Sequence, residues 1–166
     1  SYLTIRDLVD EVGRDAVRYF FIMRKSDTHF VFDVDLAKSQ TEENPVFYVQ
    51  MAHARMSGIF RVAARDASSV QASGVDLSSL TQPEEIELIK ELTDFPETVR
   101  RAALALEPSR LTTYLEGLAR IAHAWYHKYR VLGEPEEAAR LVLARAVQQV
   151  LANGLTLLGI RAPERM

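Results

Sequence analysis

The sequence has no cysteine, which excludes disulfides, thiolate zinc sites and cysteine nucleophiles. Glycine and proline are scarce, at 7 and 6 of 166 residues. Strand-like alternation is rare as well, so the expected fold class is all-α. No apolar run is long enough to cross a bilayer and no signal-peptide pattern is present, which points to a cytoplasmic chain without a membrane partner. Positive charge is not in excess: 20 Lys and Arg face 23 Asp and Glu, for a net charge of −3. General attraction to nucleic acid is thereby excluded, and any RNA site has to be a local patch. No glycine-rich loop follows a strand, and no serine or threonine has a paired base, so no catalytic residue is assigned. Among the four histidines, His123 and His127 have the i, i+4 spacing of a metal pair. They lack an intervening glutamate and a third ligand, and no metal is expected. Asp33 and Asp35 lack a third ligand too.

What the chain does have is helix signal, strongest over residues 44–65, NPVFYVQMAHARMSGIFRVAAR. Asn44 suits an N-cap and Pro45 the first helical position. A helix apolar over most of its girdle is expected at the centre of a bundle. Its polar exceptions, Gln50, His53, Ser57 and Arg61, fall on one stripe at i, i+3, i+7 and i+11. That stripe is either the wet edge of a core helix or a rigid row of donors and acceptors for a partner.

Residues 1–41 read as an arm. Thr4 and Asp7 suggest a capping box, Leu3 a staple onto Leu8, and Gly13 a stop before a second apolar helix. A break is expected from Arg24 to Asp27. Residues 29–36, HFVFDVDL, alternate and predict an extended segment or lone strand. Serine-rich residues 66–82 form a loop with one turn near residues 75–77. Thr81 and Glu84 suggest a capping box opening a helix, and Asp94 with Pro96 predicts a separate helix after it. Glu84, Glu85, Glu87 and Glu91 are assigned to solvent or to a face far from any phosphate backbone. Pro108 opens the best-patterned helix, to about Val131, with Leu111, Tyr114, Leu115, Leu118, Ile121, Ala122, Trp125 and Tyr129 on one face. Gly133 ends it, Pro135 starts the last helix, and Gly159 stops that. The sum is an antiparallel bundle of about five helices over residues 42–166, preceded by a helical arm with a short extended segment.

Between residues 98 and 130 the cations Arg100, Arg101, Arg110, Arg120, Lys128 and Arg130 face only Glu107 and Glu116. Such a strip suits backbone tracking. Tyr126 lies amid Arg120, His123 and Arg130, where a ring beside cations can stack an unpaired base. The alternative is a boundary tyrosine among ordinary surface charges.

Four blocks carry a resemblance. NPVFYVQMAHAR, with Asn44, Pro45, Tyr48, Gln50, Ala52, His53, Ala54 and Arg55, resembles the segment that opens the helical anticodon-binding domain of arginyl-tRNA synthetases. TIRDLVDEVGRDAVRYFF resembles the stem-contact region after their KMSKS-type loop, and YLEGLARIAHAWYHKYR the segment bearing their anticodon tyrosine, here Tyr126. NGLTLLGIRAPERM resembles their final signature through Leu158, Gly159, Glu164, Arg165 and Met166. Met51 stands where the family commonly has tyrosine or phenylalanine. The KMSKS and HIGH motifs are absent, so the chain resembles a C-terminal fragment separated from its Rossmann catalytic domain. The resemblance implies a class Ia anticodon-binding (DALR-type) bundle at residues 42–166 and an arm at 1–41. It implies a parent enzyme that joins arginine to tRNA(Arg) with ATP and Mg2+, and a fragment that is itself inactive, monomeric and without a cofactor. Its partners would be the tRNA(Arg) anticodon arm and the missing catalytic domain. Base contacts are expected from Gln50, Tyr126 and Met166. Tyr48, His53, Arg55, Arg61, Arg120, His123, Lys128 and Arg130 would serve the phosphate backbone or support the site. The alternatives are the bundle of a sister class I synthetase, such as the cysteinyl type, and a helical protein-interaction module without RNA.

Overall fold

The structure, a computed structural model, describes residues 4–25 and 29–166. The staple expected from Leu3 and the break expected at Ser26 and Asp27 lie outside the described residues. The described residues form helices α1 (Ile5–Val12), α2 (Arg14–Ile22), α3 (Val34–Lys38), α4 (Pro45–Val62), α5 (Pro83–Ala105), α6 (Ser109–Lys128) and α7 (Glu137–Leu157), and no strand. The all-α expectation holds.

Thr4 caps α1 as its pattern predicts: the Asp7 N–H donates to Thr4 Oγ1 at 3.2 Å, and the Thr4 N–H to the Asp7 carboxylate at 2.9 Å. Gly13, at φ 89°, turns the chain straight into α2. Residues 29–33 have no regular structure and the expected strand does not form, because Val34 opens α3. Asp33 accepts the Leu36 N–H at 2.9 Å, a local cap that competes with extended structure where no ladder partner is offered. Phe30 and Phe32 are still partly buried: Phe32 lies 5.3 Å from Phe20 and 5.9 Å from Phe21, and Phe30 5.5 Å from Phe21, between ring centroids.

Helix α4 lies at the centre, between α6 and α7, with α2 against its first turns. Val49, Ala52 and Met56 are fully enclosed. Asn44 occupies the N-cap position without capping through its side chain. Its amide instead donates to the carbonyls of Ser39 (2.8 Å) and Ala37 (3.2 Å), tying α3 to the start of α4. The loop after α4 has two single 3₁₀ turns, capped by Asp66 and Asp76, rather than the one expected.

Two helices expected after residue 82 are one. α5 runs unbroken through Pro96, although an interior proline costs a helix about 3 kcal/mol or more. The reason is legible in the stripe Leu88, Leu92, Phe95, Val99 and Ala102, whose helical spacing continues across the proline and packs on the core. Its cap is one register later than expected: Glu85 accepts the Gln82 N–H at 3.0 Å. Nor do all its acids face solvent. Glu85 is 0% exposed and binds Arg140 Nε at 2.8 Å, while Arg140 Nη1 donates to the Arg130 carbonyl at 2.8 Å. This pair joins α5, α7 and the turn between α6 and α7. Helix α6 ends at Lys128, where Tyr129 is extended and its hydroxyl donates to Glu84 at 2.6 Å. Helices α6 and α7 approach closely at Gly154, where a Cβ would meet Leu115 Cδ2 at 2.6 Å.

Candidate nucleic-acid interface

Gly159, at φ 69°, ends α7 and turns the last residues back across the bundle. Ile160 plugs the core. Residues 161–164 then run beside α4 in the same direction, held by the polar stripe noted in the sequence. Gln50 Nε2 donates to the Arg161 carbonyl at 2.9 Å. His53 Nδ1 bonds the Pro163 carbonyl at 2.8 Å, so that ring nitrogen carries the proton. Arg61 Nη1 donates to the Glu164 carbonyl at 3.0 Å. Ser57, the fourth member, accepts from Gln148 Nε2 at 2.8 Å and fixes α7 instead. Helix α2 grips the same tail: Arg161 Nε donates to Asp15 at 2.8 Å, and Arg18 Nε to the Leu158 carbonyl. The stripe is therefore a rail for the chain's own last residues.

The rail delivers Arg165 and Met166 to a cleft of about 490 Å³ between α4 and α6. Met51, Ala54 and Gly58 form its floor, Tyr126 stands on the α6 wall, and Met166 lies opposite with Arg165. Tyr126 is 40% exposed and Met166 53%. Arg55 and Arg61 complete the lining. Among the described residues, Arg55, Arg61 and Arg165 have no carboxylate within ion-pair distance. The space lies in the range of small-molecule clefts. An apolar floor, a half-open ring and three unneutralised guanidinium groups can stack a base and hold its phosphate.

Arg55 is fixed from α6. Its Nη1 lies 2.6 Å from His123 Nδ1 and 3.1 Å from His127 Nε2, and its guanidinium carbon 5.8 Å from the centre of the Tyr126 ring. A guanidinium only donates, so both ring nitrogens must accept. His123 Nε2 accordingly carries the proton and donates to the Tyr48 carbonyl at 3.1 Å. Burial, and after it the Arg55 charge, push the His123 pKa below its ordinary value against the Tyr48 hydrogen bond and Glu42. Tyr48 itself packs against His123 at a tilt, with centroids 4.5 Å apart. The expected histidine pair is thus an acceptor pair for an arginine, and the described residues contain no cluster of three His, Asp or Glu able to hold a metal.

The other expected contacts lie elsewhere. Tyr48 and Arg120 line a second depression together with Glu42, Glu43 and Glu116. Lys128 Nζ is 2.7 Å from Glu84, whose carboxyl it and Tyr129 hold down to about 2. Arg130 is exposed beyond the end of α6. The strip counted from the sequence is largely neutralised: Glu97 binds both Arg100 and Arg101 at 2.7 Å, and Glu107 binds Arg110 at 2.6 Å. Sequence reasoning missed Arg165 as a lining residue, although its place beside Met166 in the final block was a usable signal.

The DALR anticodon binding domain model matches residues 49–166. The chain belongs to the DALR anticodon-binding domain family. The arginine–tRNA ligase of Geobacter metallireducens is 56% identical over 171 residues, covering 100% of this chain and 30% of that protein. That of Bordetella petrii is 53% identical over 169 residues, with the same coverage of 100% and 30%. The chain thus spans about 30% of the length of the curated relatives it matches. Among solved structures, Thermus thermophilus arginyl-tRNA synthetase superposes with a TM-score of 0.77 at 32% identity, covering 100% of this chain and 28% of that one. In this DALR domain the cleft is formed within the matched span, by α4, α6 and the tail. No described helix is long and apolar enough to cross a membrane.

Proposed function

We propose that the chain is the anticodon-binding part of an arginyl-tRNA synthetase and that the cleft between α4, α6 and the tail takes an unstacked anticodon base of tRNA(Arg). The observation that carries this is the juxtaposition of Tyr126, Met166 and three arginines without acidic partners in one cleft. Tyr126 stacks the base, Met166 packs its far side, and Arg55 and Arg165 meet its edge and phosphate. Gln50, His53 and Arg61 act mainly through the tail, because their donors already hold its carbonyls. Tyr48 supports His123. Arg120, Lys128 and Arg130 border the RNA path as weaker phosphate contacts. The parent enzyme would charge tRNA with arginine using ATP and Mg2+ held outside this chain. Residues 1–41 would link the catalytic domain to the bundle at residues 42–166, in a cytoplasmic monomer.

The test is a titration of the chain with the anticodon stem-loop of tRNA(Arg) beside a loop carrying an unrelated anticodon. Preferential retention of the first supports the proposal. Equal or absent retention of both at low salt favours a protein-interaction module.

A further inference from the structure

Two features of the surface lie apart from the cleft. A cavity of about 840 Å³ lies between α2, the start of α4 and the tail, but nothing in the structure shows what covers it. The apolar face beside Phe95, Val99 and Leu157 has the same defect. The contacts around Arg55 carry further.

Arg55 Nη1 has two protons, and two imidazole nitrogens from successive turns of α6 take both. Nη2 and Nε remain for a ligand. The histidines therefore fix one arm of the guanidinium, whose central carbon lies 5.8 Å over the Tyr126 ring. We propose that His123 and His127 are positioning residues that hold Arg55 beside Tyr126 as neutral acceptors, so that RNA binding in this cleft weakens on acidification. The inference rests on the function proposed above.

The chemistry is one-directional. A protonated imidazole has no lone pair left and becomes a cation facing a cation. Uptake of one proton by either ring removes a hydrogen bond to Arg55 and adds repulsion. The groups facing the pair are few. From α4 come Arg55 and the Tyr48 carbonyl, from the preceding turn Glu42, from α6 itself Tyr126 and Arg120, and across the cleft Arg165. The Tyr48 carbonyl and Glu42 favour protonation of His123, while its burial and the Arg55 charge oppose it. Ordinary surface histidines act in the opposite sense: on acidification they add positive charge and tighten RNA binding. The sign of the pH dependence therefore separates a positioning role from a contact role.

The experiment uses the whole chain and a fluorescent anticodon stem-loop of tRNA(Arg) at constant ionic strength, at pH 7.5 and 5.5. The expected result is a Kd that rises about five-fold at the lower pH, the scale of one lost hydrogen bond. In His123→Asn/His127→Gln, whose amides accept without titrating in this range, the ratio is expected to fall below about two. Unchanged or tighter wild-type binding at pH 5.5 overturns the inference. A second readout needs no RNA: long-range 1H–15N spectra at pH 7.5 should show His123 with its proton on Nε2. A proton on Nδ1 overturns the inference even if the chain binds no RNA, whereas absent binding with the expected tautomer counts against the proposed function alone.

Discussion

Two regions of this bundle are rich in arginine, and they differ in what the charge is tied to. On α5 and the outer side of α6, Arg100, Arg101, Arg110 and Lys128 are each within 2.7 Å of a carboxylate. In the cleft, Arg55 and Arg61 are held by imidazoles and a backbone carbonyl, which orient a cation without cancelling it. Charge count and charge availability are separate quantities. A carboxylate partner neutralises, while a neutral acceptor aims the donors left over. Exposed ion pairs are worth little to stability, so their main effect on the outer strip is to dull its field.

The contrast can be broken at several points. The largest effect concerns Arg140 and Glu85, the ion pair buried on both sides among the described residues. Arg140→Ala leaves Glu85 buried without its partner and is expected to cost about 3–5 kcal/mol in chemical denaturation. A loss below 1 kcal/mol would mean that the α5 acids are ordinary surface groups. Next comes Tyr126→Ala, expected to weaken stem-loop binding by ten-fold or more, from the roughly 1–3 kcal/mol of one lost base stack. Its thermal midpoint should move little, because the ring is half exposed. Gln50→Ala removes one tail bond at no cost in charge, and about 1 kcal/mol of tail attachment should go with it. Proteolytic clipping within residues 160–166 should accelerate relative to wild type. Smallest is the salt response: Arg165→Ala should lower the slope of log K against log salt by about 0.7, the single-strand value per phosphate. Arg100→Ala should leave that slope nearly where it was. Equal effects of the two substitutions would erase the distinction between the regions.

The sequence made the helices with unbroken stripes visible. α4 and α6 were legible because burial on one face imposes a period that a window of residues displays. α5 was misdivided because Pro96 and Asp94 are strong local signals, whereas the stripe crossing them is held by α6 and α7. α3 was hidden by an alternation that the Asp33 cap overrides. The cleft was half legible. Tyr126 and Met166 stood out through their blocks, yet the use of Gln50, His53 and Arg61 depends on partners more than a hundred positions away. The basic strip looks stronger in sequence than in space for a simpler reason: Glu97, which holds two of its arginines, lies just before residue 98.

The most direct measurement is a chemical-shift titration of the labelled chain with the tRNA(Arg) anticodon stem-loop. Perturbations should concentrate at Arg55, Tyr126, Arg165 and Met166, and be larger there than anywhere on α5. Shifts confined to Arg100, Arg101 and Arg110, with the cleft silent, would contradict the assignment of the binding site.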